Sequence, residues 1–268
     1  MPAIDILVCG AAGKMGREVV RAISRETDLR LVAAVDTVHV GEDIGAVAGL
    51  SACGIALTDN LAEAIHAARP QVMVDFTIPA SVLANIRVAL ENKIACVVGT
   101  TGLAQDNFDE IERLCEKHAT PCFIAPNFAI SAVLMMEFAA QAARYFPRAE
   151  IIELHHDKKL DAPSGTALLT AKKMLESEGC ALQAESAAKE TETPFSPRGQ
   201  LFGEKVRLHS VRLPGFVAHQ EVIFGGLGQT LTIRYDSLNR ESFMPGVVLA
   251  IRKVIGLKGL TVGLEKIM

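Results

Sequence analysis

The segment at residues 153–167, ELHHDKKLDAPSGTA, holds many polar and ionisable side chains in few residues. His155 or His156 can donate a proton near neutral pH. Lys159 can hold an anion or serve as an acid. Together these residue types predict acid–base chemistry on an anionic substrate.

The same segment contains a predicted helix start, because it runs from the end of a strand into a helical pattern. Ser164 or Thr166 can cap this helix, and Gly165 keeps the backbone accessible. Free backbone N–H groups at such a start can bind a carboxylate. A substrate carboxylate is therefore expected at this point.

Each of these residues also has a structural explanation when it is taken alone. Asp161 before Pro163 is typical of a turn, and a single surface histidine or lysine is usually solvated. A zinc site from His155 and His156 is disfavoured, since neighbouring residues on a strand point to opposite faces. No metal site is predicted, whereas the cluster as a whole favours a functional site.

A second candidate site is the glycine-rich turn GAAGKMG at residues 10–16, where an apolar strand meets a helical pattern. Such a turn lets the backbone approach a pyrophosphate at a helix N-terminus. Asp36 follows the next strand, where a carboxylate can accept hydrogen bonds from an adenosine ribose. The usual fingerprint is GxGxxG, and its second glycine is Ala11 here. The strand, helix and acid predict a dinucleotide site, with a tight turn in an unrelated α/β fold as the alternative.

The cofactor preference follows from the charges near this turn. Asp36 predicts that NADH is used, because a carboxylate repels the 2′-phosphate of NADPH. Lys14 and Arg17 lie near the same end of the site and can soften that repulsion. NADPH therefore stays an alternative.

Apolar runs alternate with helical patterns along the first half of the chain, which predicts a parallel sheet covered on both faces. The predicted strands span 4–9, 29–35, 72–76, 95–98 and 122–125, with helices at 14–25, 60–68, 81–91, 106–118 and 131–144. Later elements are strands at 150–155, 206–211, 219–224 and 229–235, helices at 166–178 and 242–256, and a polar loop at 181–204. The three last strands alternate as antiparallel strands do. The predicted fold class is α/β: an N-terminal Rossmann domain and an α+β domain with a mixed, largely antiparallel sheet.

Composition excludes several classes of function. The 268 residues carry a net charge of −4, aromatic residues are 5% and tryptophan is absent, which argues against a nucleic-acid partner. No stretch approaches the ~20 apolar residues of a membrane span, and the N-terminus does not resemble a signal peptide. The six cysteines form no CxxC pair, which favours free thiols in a reduced compartment. A cytoplasmic location is expected.

Six motifs together resemble the 4-hydroxy-tetrahydrodipicolinate reductase (dihydrodipicolinate reductase) family of bacterial and plant lysine biosynthesis. The resemblance covers essentially the whole chain, and the HHxxK and DAPSGTA block is its most specific part. The motifs are VCGAAGKMG at 8–16, DFT at 75–77, GTTG at 99–102, PNFA at 126–129, HHDKKLDAPSGTA at 155–167 and RLPGFVAHQEVIFGG at 212–226.

This resemblance implies a domain organisation and a reaction. Residues 1–128 with 238–268 would form the dinucleotide-binding domain, and residues 129–237 a substrate-binding and tetramerisation domain. A hydride from NADH or NADPH would reduce a cyclic dicarboxylate with loss of water, giving tetrahydrodipicolinate. The enzyme would be a cytoplasmic homotetramer of the diaminopimelate and lysine pathway.

The resemblance also implies a role for individual residues. His155 would be the proton donor, Lys159 the second catalytic residue, and His156, Gly165 and Thr166 would bind substrate. Residues that would bind the cofactor are Gly10, Ala11, Ala12, Gly13, Lys14 and Met15 at the pyrophosphate, Asp36 at the ribose, and Gly99, Thr100, Thr101, Ala125, Pro126, Asn127 and Phe128 around the nicotinamide.

Two rival functions would require a different sequence. A catalytically silent nucleotide-sensing protein would be expected to lack the HHxxK block or the GTTG loop, and both are present. An aldehyde dehydrogenase acting through a cysteine needs a positioned nucleophile. No cysteine lies in such a motif, and Cys9 falls within the first predicted strand.

Overall fold

The computed structural model describes residues 2–184 and 198–268. The chain divides into two compact units, Met1–Ala129 with Arg240–Met268, and Ile130–Asn239. Among the described residues, no helix is both long and apolar enough to cross a membrane.

The first unit is built on a seven-stranded sheet in which every pairing is parallel. Its strands are β1 (Ile4–Cys9), β2 (Leu29–Val35), β3 (Leu57–Thr58), β4 (Val72–Asp75), β5 (Ala95–Val98), β6 (Cys122–Ile124) and a last strand, Leu260–Val262. The order across the sheet is last strand–β6–β5–β4–β1–β2–β3. The chain changes direction across the sheet at β1, and open α/β sheets bind ligands outside the carboxyl ends of strands at such a point.

Helices cover both faces of this sheet, which explains why its strands read as continuous apolar runs. They are α1 (Lys14–Ser24), α2 (Ile44–Val47), α3 (Leu61–Ala68), α4 (Pro79–Glu91), α5 (Gln105–His118) and the last helix, Met244–Val254. Leu7 and Met73 belong to a core cluster with residues of α3, α4 and α5. Because side chains alternate along a strand, the buried Ile6 and Val74 point to the opposite face.

In its described residues, the second unit consists of a five-stranded sheet and two helices, α6 (Ile130–Ala142) and α7 (Gly165–Glu176). The strand order is β11–β10–β7–β9–β8, and in the part of the unit that the structure describes β7 pairs with β9 in parallel while the other pairs are antiparallel. The strands are β7 (Arg148–His155), β8 (Gln200–Phe202), β9 (Val206–Arg212), β10 (Ala218–Gly226) and β11 (Gln229–Ser237). Along β7, Ala149, Ile151 and Glu153 are buried in alternation with half-buried neighbours.

These two sheets confirm the predicted fold class, and most predicted elements lie within two residues of the observed ones. The prediction of an uninterrupted loop over 181–204 is wrong, because β8 lies inside it; the part of that loop at 185–197 is outside the described residues. The last three long strands are predicted to alternate as antiparallel strands, but β9 pairs with β7 in parallel. The sequence pattern does not predict α2, β3 and the strand Leu260–Val262, which are each too short to show a period.

Candidate active site

The predicted cofactor residues of the first unit lie at one edge of its sheet. The glycine-rich turn follows β1, Asp36 follows β2, Gly99 follows β5 and Ala125 follows β6. The carboxyl ends of parallel strands meet at the same edge, and β2, β1, β4, β5 and β6 are consecutive neighbours there. The fold therefore gathers loops that are distant in sequence at the edge where open α/β sheets bind ligands.

The glycine-rich turn is shaped by backbone contacts that exclude side chains. Gly10 has φ +72°, and a Cβ there would lie 2.7 Å from the carbonyl oxygen of Phe76. A Cβ on Gly16 would collide with the carbonyl oxygen of Gly10. Among the described residues, no side chain caps α1 at Gly13, and its first turn contains no acid. Such a close turn at an uncapped helix start fits a pyrophosphate.

Asp36 contacts the turn directly. Its Oδ2 accepts a hydrogen bond from Ala12 N at 2.9 Å, and its Oδ1 accepts one from Val38 N at 3.3 Å. Arg17 Nε donates to Ala12 O at 2.6 Å, so this guanidinium is engaged with the backbone of the turn. Lys14 is exposed. The carboxylate is thus fixed beside the turn, at the end of β2 where a ribose would be bound.

The loops predicted to surround the nicotinamide pack closely on aromatic rings. A Cβ on Gly99 would collide with the Phe76 ring, so a larger residue there would require the ring to move. The Phe76 and Phe128 ring centroids are 5.7 Å apart, and Phe128 is buried. Asn127 Oδ1 accepts a hydrogen bond from Ala129 N at 2.8 Å. Among the other predicted residues of these loops, Ala125 and Thr100 are buried, whereas Thr101 and Pro126 are exposed.

Asp75 lies at the same edge, although no role is predicted for it from the sequence. It is fully buried at the end of β4. Its Oδ1 accepts hydrogen bonds from Thr77 N at 2.9 Å, Thr77 Oγ1 at 2.7 Å and Thr100 Oγ1 at 3.0 Å, and its Oδ2 accepts one from Asn85 Nδ2 at 2.8 Å. Asp75 thereby joins the loop after β4 to the loop after β5. An acid that closes an apolar strand, as in VMVD, is the signal that could have identified it.

In the second unit, His155 is held at the end of β7 by the buried acid Glu153. The two residues are two positions apart on one strand, so they share a face, and His155 Nδ1 is hydrogen-bonded to a Glu153 carboxylate oxygen. Arg212 at the end of β9 donates to both oxygens of Glu153, at 2.7 and 3.0 Å. Burial would raise the pKa of Glu153, but the hydrogen bonds from His155 and Arg212 outweigh it and lower that pKa to about 2.

Lys159 lies on the loop between β7 and α7. Its Nζ donates to the two carboxylate oxygens of Asp161 at 2.7 and 2.9 Å, which lowers the pKa of Asp161. Arg212 Nη2 donates to Asp161 O at 2.7 Å, so the arginine links this loop to Glu153. His156 is exposed beyond the strand end. The structure thus brings the side chains of Lys159 and His155 onto one hydrogen-bonded network through Asp161, Arg212 and Glu153.

The start of α7 completes this cluster. Ser164 is the capping residue, because its Oγ accepts a hydrogen bond from Ala167 N at 3.2 Å. Ser164 N also donates to Glu153 Oε1 at 3.3 Å. Gly165 is exposed, and a Cβ there would meet open space. Packing therefore does not require glycine at this position, whereas close approach of a ligand to the backbone would favour it.

Cys9 does not fit the rival hypothesis of a thiol nucleophile. All six are free, and Cys9 is buried in β1. Burial, with smaller contributions from Asp75 and Asp36, raises the pKa of Cys9 well above the usual thiol value, so its reactive thiolate is disfavoured. Within residues 2–184 and 198–268, no three His, Cys, Asp or Glu side chains are grouped so that they could hold a metal ion.

Comparison with known proteins assigns both halves of the chain. The family described as "Dihydrodipicolinate reductase, N-terminus" matches residues 4–128, and "Dihydrodipicolinate reductase, C-terminus" matches residues 131–268. The 4-hydroxy-tetrahydrodipicolinate reductase of Moorella thermoacetica is 51% identical over 265 residues, which cover 99% of this chain and 98% of the relative. The protein of the same name from Desulfitobacterium hafniense is 50% identical over 269 residues, covering all of both chains.

Solved structures agree at the level of the fold. A dipicolinate-bound dihydrodipicolinate reductase from Paenisporosarcina sp. TG-14 superposes with a TM-score of 0.88 at 41% identity, covering 99% of this chain and 100% of that one. An amine dehydrogenase from Mycobacterium smegmatis has a TM-score of 0.66 at 13% identity, covering 96% and 94% of the two chains, and shares the fold alone. From these matches over its whole length, the chain belongs to the dihydrodipicolinate reductase family, a family of nicotinamide-dependent oxidoreductases.

Proposed function

We propose that this chain reduces 4-hydroxy-tetrahydrodipicolinate to tetrahydrodipicolinate with loss of water, using a nicotinamide cofactor, in diaminopimelate and lysine biosynthesis. The observation that carries the proposal is the His155 cluster, in which a half-buried histidine is held by the ionised carboxylate of Glu153 beside Lys159 and an accessible helix start. The names of the relatives and the dipicolinate in the Paenisporosarcina structure support the same substrate class.

The first unit binds and orients the cofactor in this proposal. The turn Gly10–Met15 takes the pyrophosphate at the start of α1, and Asp36 takes the adenosine ribose. The loops at Gly99–Thr101 and Ala125–Phe128 surround the nicotinamide, which supplies the hydride when bound. Close packing of Gly99 and Phe76 fixes the first of these loops.

The second unit binds the dianionic substrate and provides the proton. Lys159 and the backbone N–H groups of Gly165 and Thr166 are complementary to carboxylates, and His156 lies on the same exposed loop. His155 donates a proton to the ring that has been reduced. Leu213 N donates to His155 O at 3.1 Å, which also fixes the backbone of the proton donor.

We expect NADH to be the better cofactor. The Asp36 carboxylate is fixed beside the turn, and the Nε atom of Arg17 is engaged with Ala12 O. A homotetrameric assembly and a cytoplasmic location stay predictions, and the first is checked by the molar mass of the purified protein in solution.

A coupled assay tests the proposal. Pyruvate and aspartate semialdehyde are condensed by the preceding enzyme of the pathway, and steady oxidation of NADH on addition of this chain is expected. The control omits aspartate semialdehyde and should show no oxidation. If NADH binds but is not oxidised in the complete assay, the nucleotide-sensing alternative replaces the reductase.

A further inference from the structure

Glu153 is a fully buried carboxylate near the end of the central pair β7 and β9. A buried charge is costly unless it is paired and hydrogen-bonded. Three parts of the second unit meet this requirement: His155 on its own strand, Arg212 on β9 and the backbone N–H of Ser164 at the start of α7. Glu153 therefore connects the proposed proton donor to the proposed carboxylate-binding helix start.

The ionised Glu153 determines the orientation of the His155 ring. A carboxylate only accepts hydrogen bonds, so the Nδ1 atom of His155 must carry hydrogen where it contacts Glu153. The Nε2 atom then lies on the far side of the ring and is the atom that can exchange a proton with substrate. When His155 is protonated, the negative charge of Glu153 stands directly beside the imidazolium.

Arg212 opposes that charge and holds the neighbouring loop. It donates to both oxygens of Glu153 and also to the carbonyl oxygen of Asp161, whose side chain binds Lys159. The side chain of Arg212 is largely buried, so its charge is not screened as a surface charge would be. The ion pair of Glu153 with Arg212 is therefore hydrogen-bonded to His155 directly and is connected to Lys159 through Asp161.

We propose that Glu153 and Arg212 are positioning residues of the reductase: Glu153 orients His155 with hydrogen on Nδ1 and provides the charge that stabilises its protonated form, and Arg212 limits that charge while holding the loop of Lys159. This inference rests on the proposed function, since it assigns His155 the proton transfer. The titratable and charged groups that surround the pair are His155, Lys159, Asp161 and Tyr235.

The first experiment compares Glu153→Gln with a matched control, Glu150→Gln. Glu150 lies on the same strand and also contacts a histidine and an arginine, His209 and Arg198, but it takes no part in the proposed site. Glu153→Gln should lower kcat about 100-fold while KM changes little, because a poorly oriented proton donor slows turnover and leaves substrate binding intact. Glu150→Gln should retain the wild-type kcat. Equal kcat values for the two variants would overturn the inference.

The pH profile separates an electrostatic role from a merely structural one. A histidine acid is active when protonated, so the rate falls as pH rises. Glu153→Gln removes a negative charge and should move this fall to lower pH, whereas Arg212→Gln removes a positive charge and should move it to higher pH. A general loss of structure cannot produce shifts of opposite sign. Shifts in one direction, or none, would contradict the proposal.

A third measurement observes the wild-type protein, and a variant serves only to assign the signal. Nitrogen-15 NMR of labelled histidine distinguishes the two neutral tautomers, and His155→Asn assigns the signal. Neutral His155 is expected to carry its hydrogen on Nδ1, and hydrogen on Nε2 would refute the inference. Failure of the reductase proposal is recognised separately, because the wild-type protein would then oxidise no NADH in the coupled assay.

Discussion

Among residues 2–184 and 198–268, each unit contains one fully buried acid near the carboxyl end of a central strand, Asp75 in the first and Glu153 in the second. The two acids differ in the groups that donate hydrogen bonds to their carboxylate oxygens. Asp75 accepts hydrogen bonds from hydroxyl, amide and backbone groups, whereas Glu153 is bound by the side chains of His155 and Arg212. The neutral donors around Asp75 fix the shape of its loops. The partners of Glu153 do the same, and one of them, His155, can also gain or lose a proton.

In the proposed function, the cofactor is bound by the first unit and the proton is supplied by the second. The Asp75 network connects two loops of the cofactor edge, so its disturbance should alter cofactor binding and stability. The Glu153 network contains the proposed proton donor and reaches Lys159 through Arg212 and Asp161. Changes in the second unit are therefore expected to act on kcat, and changes in the first unit on the KM for the dinucleotide.

Lys159→Ala should give the largest effect on turnover. It removes the cationic group predicted to act on the dianionic substrate, and kcat is expected to fall about 10³-fold, or roughly 4 kcal/mol. The affinity for NADH, measured by fluorescence titration, should be nearly unchanged because Lys159 belongs to the other unit. Lys158→Ala is the matched control: Lys158 is adjacent and exposed, and this variant should behave as wild type. A Lys159→Ala variant with wild-type turnover would show that the assignment is wrong.

The charged network should also be visible as a pH dependence of stability. Burial would raise the pKa of Glu153, but the hydrogen bonds of His155 and Arg212 outweigh it and lower that pKa from 4.5 to about 2. A carboxyl group with a lowered folded-state pKa stabilises the fold above its unfolded pKa, and this stabilisation is lost as pH falls through the folded value. A contribution of roughly 3 kcal/mol should therefore disappear between about pH 5 and pH 2.

Urea unfolding at several pH values in that range measures this contribution. The free energy of unfolding of the wild-type protein should fall more steeply with decreasing pH than that of Glu153→Gln, which has no carboxyl group to protonate at this position. If the free energy of unfolding changed with pH in the same way for both proteins, ionisation of Glu153 would not stabilise the fold.

The two networks also differ from the glycine-rich turn in how far the sequence predicts them. The turn Gly10–Gly16 and Asp36 are predictable because strand, turn, helix and acid all lie within one short βαβ unit. The network of Glu153 is not predictable in the same way. Arg212 is 59 residues from Glu153 in sequence, and their contact depends on the parallel pairing of β7 with β9, which the alternation pattern does not reveal.

Local sequence also fails where elements are short. The strand Gln200–Phe202 lies in a polar stretch that predicts a loop, and it exists because it can pair with β9. By contrast, the proximity of the residues from His155 to Thr166 is predictable, because the strand end, the loop and the helix start follow one another in the sequence. The choice between Ser164 and Thr166 as the cap still needs the backbone geometry.

Asp75→Asn should test the neutral network, with a smaller loss of stability than the removal of a charged pair would cause. The NH2 group of the new asparagine would face another donor, either the amide of Asn85 or the backbone N–H of Thr77, which leaves a buried donor unsatisfied at a cost of about 1–3 kcal/mol. The KM for NADH should rise, because the loops after β4 and β5 lose their shared acceptor. Asp59→Asn is the control, since Asp59 also follows a strand but is exposed. A change in kcat without a change in the KM for NADH would contradict the separation of roles.

Asp36→Ser should give the smallest change in free energy, and it tests directly whether the first unit selects the cofactor. Loss of the carboxylate removes a hydrogen-bond acceptor for the ribose of NADH and the repulsion toward the 2′-phosphate of NADPH. The ratio of kcat/KM for NADPH to that for NADH should rise about tenfold, equivalent to roughly 1.4 kcal/mol, through KM. Initial rates with both cofactors measure this ratio. If kcat fell for both cofactors while the ratio stayed constant, Asp36 would act on the structure of the turn through its bond to Ala12 N and not on the cofactor.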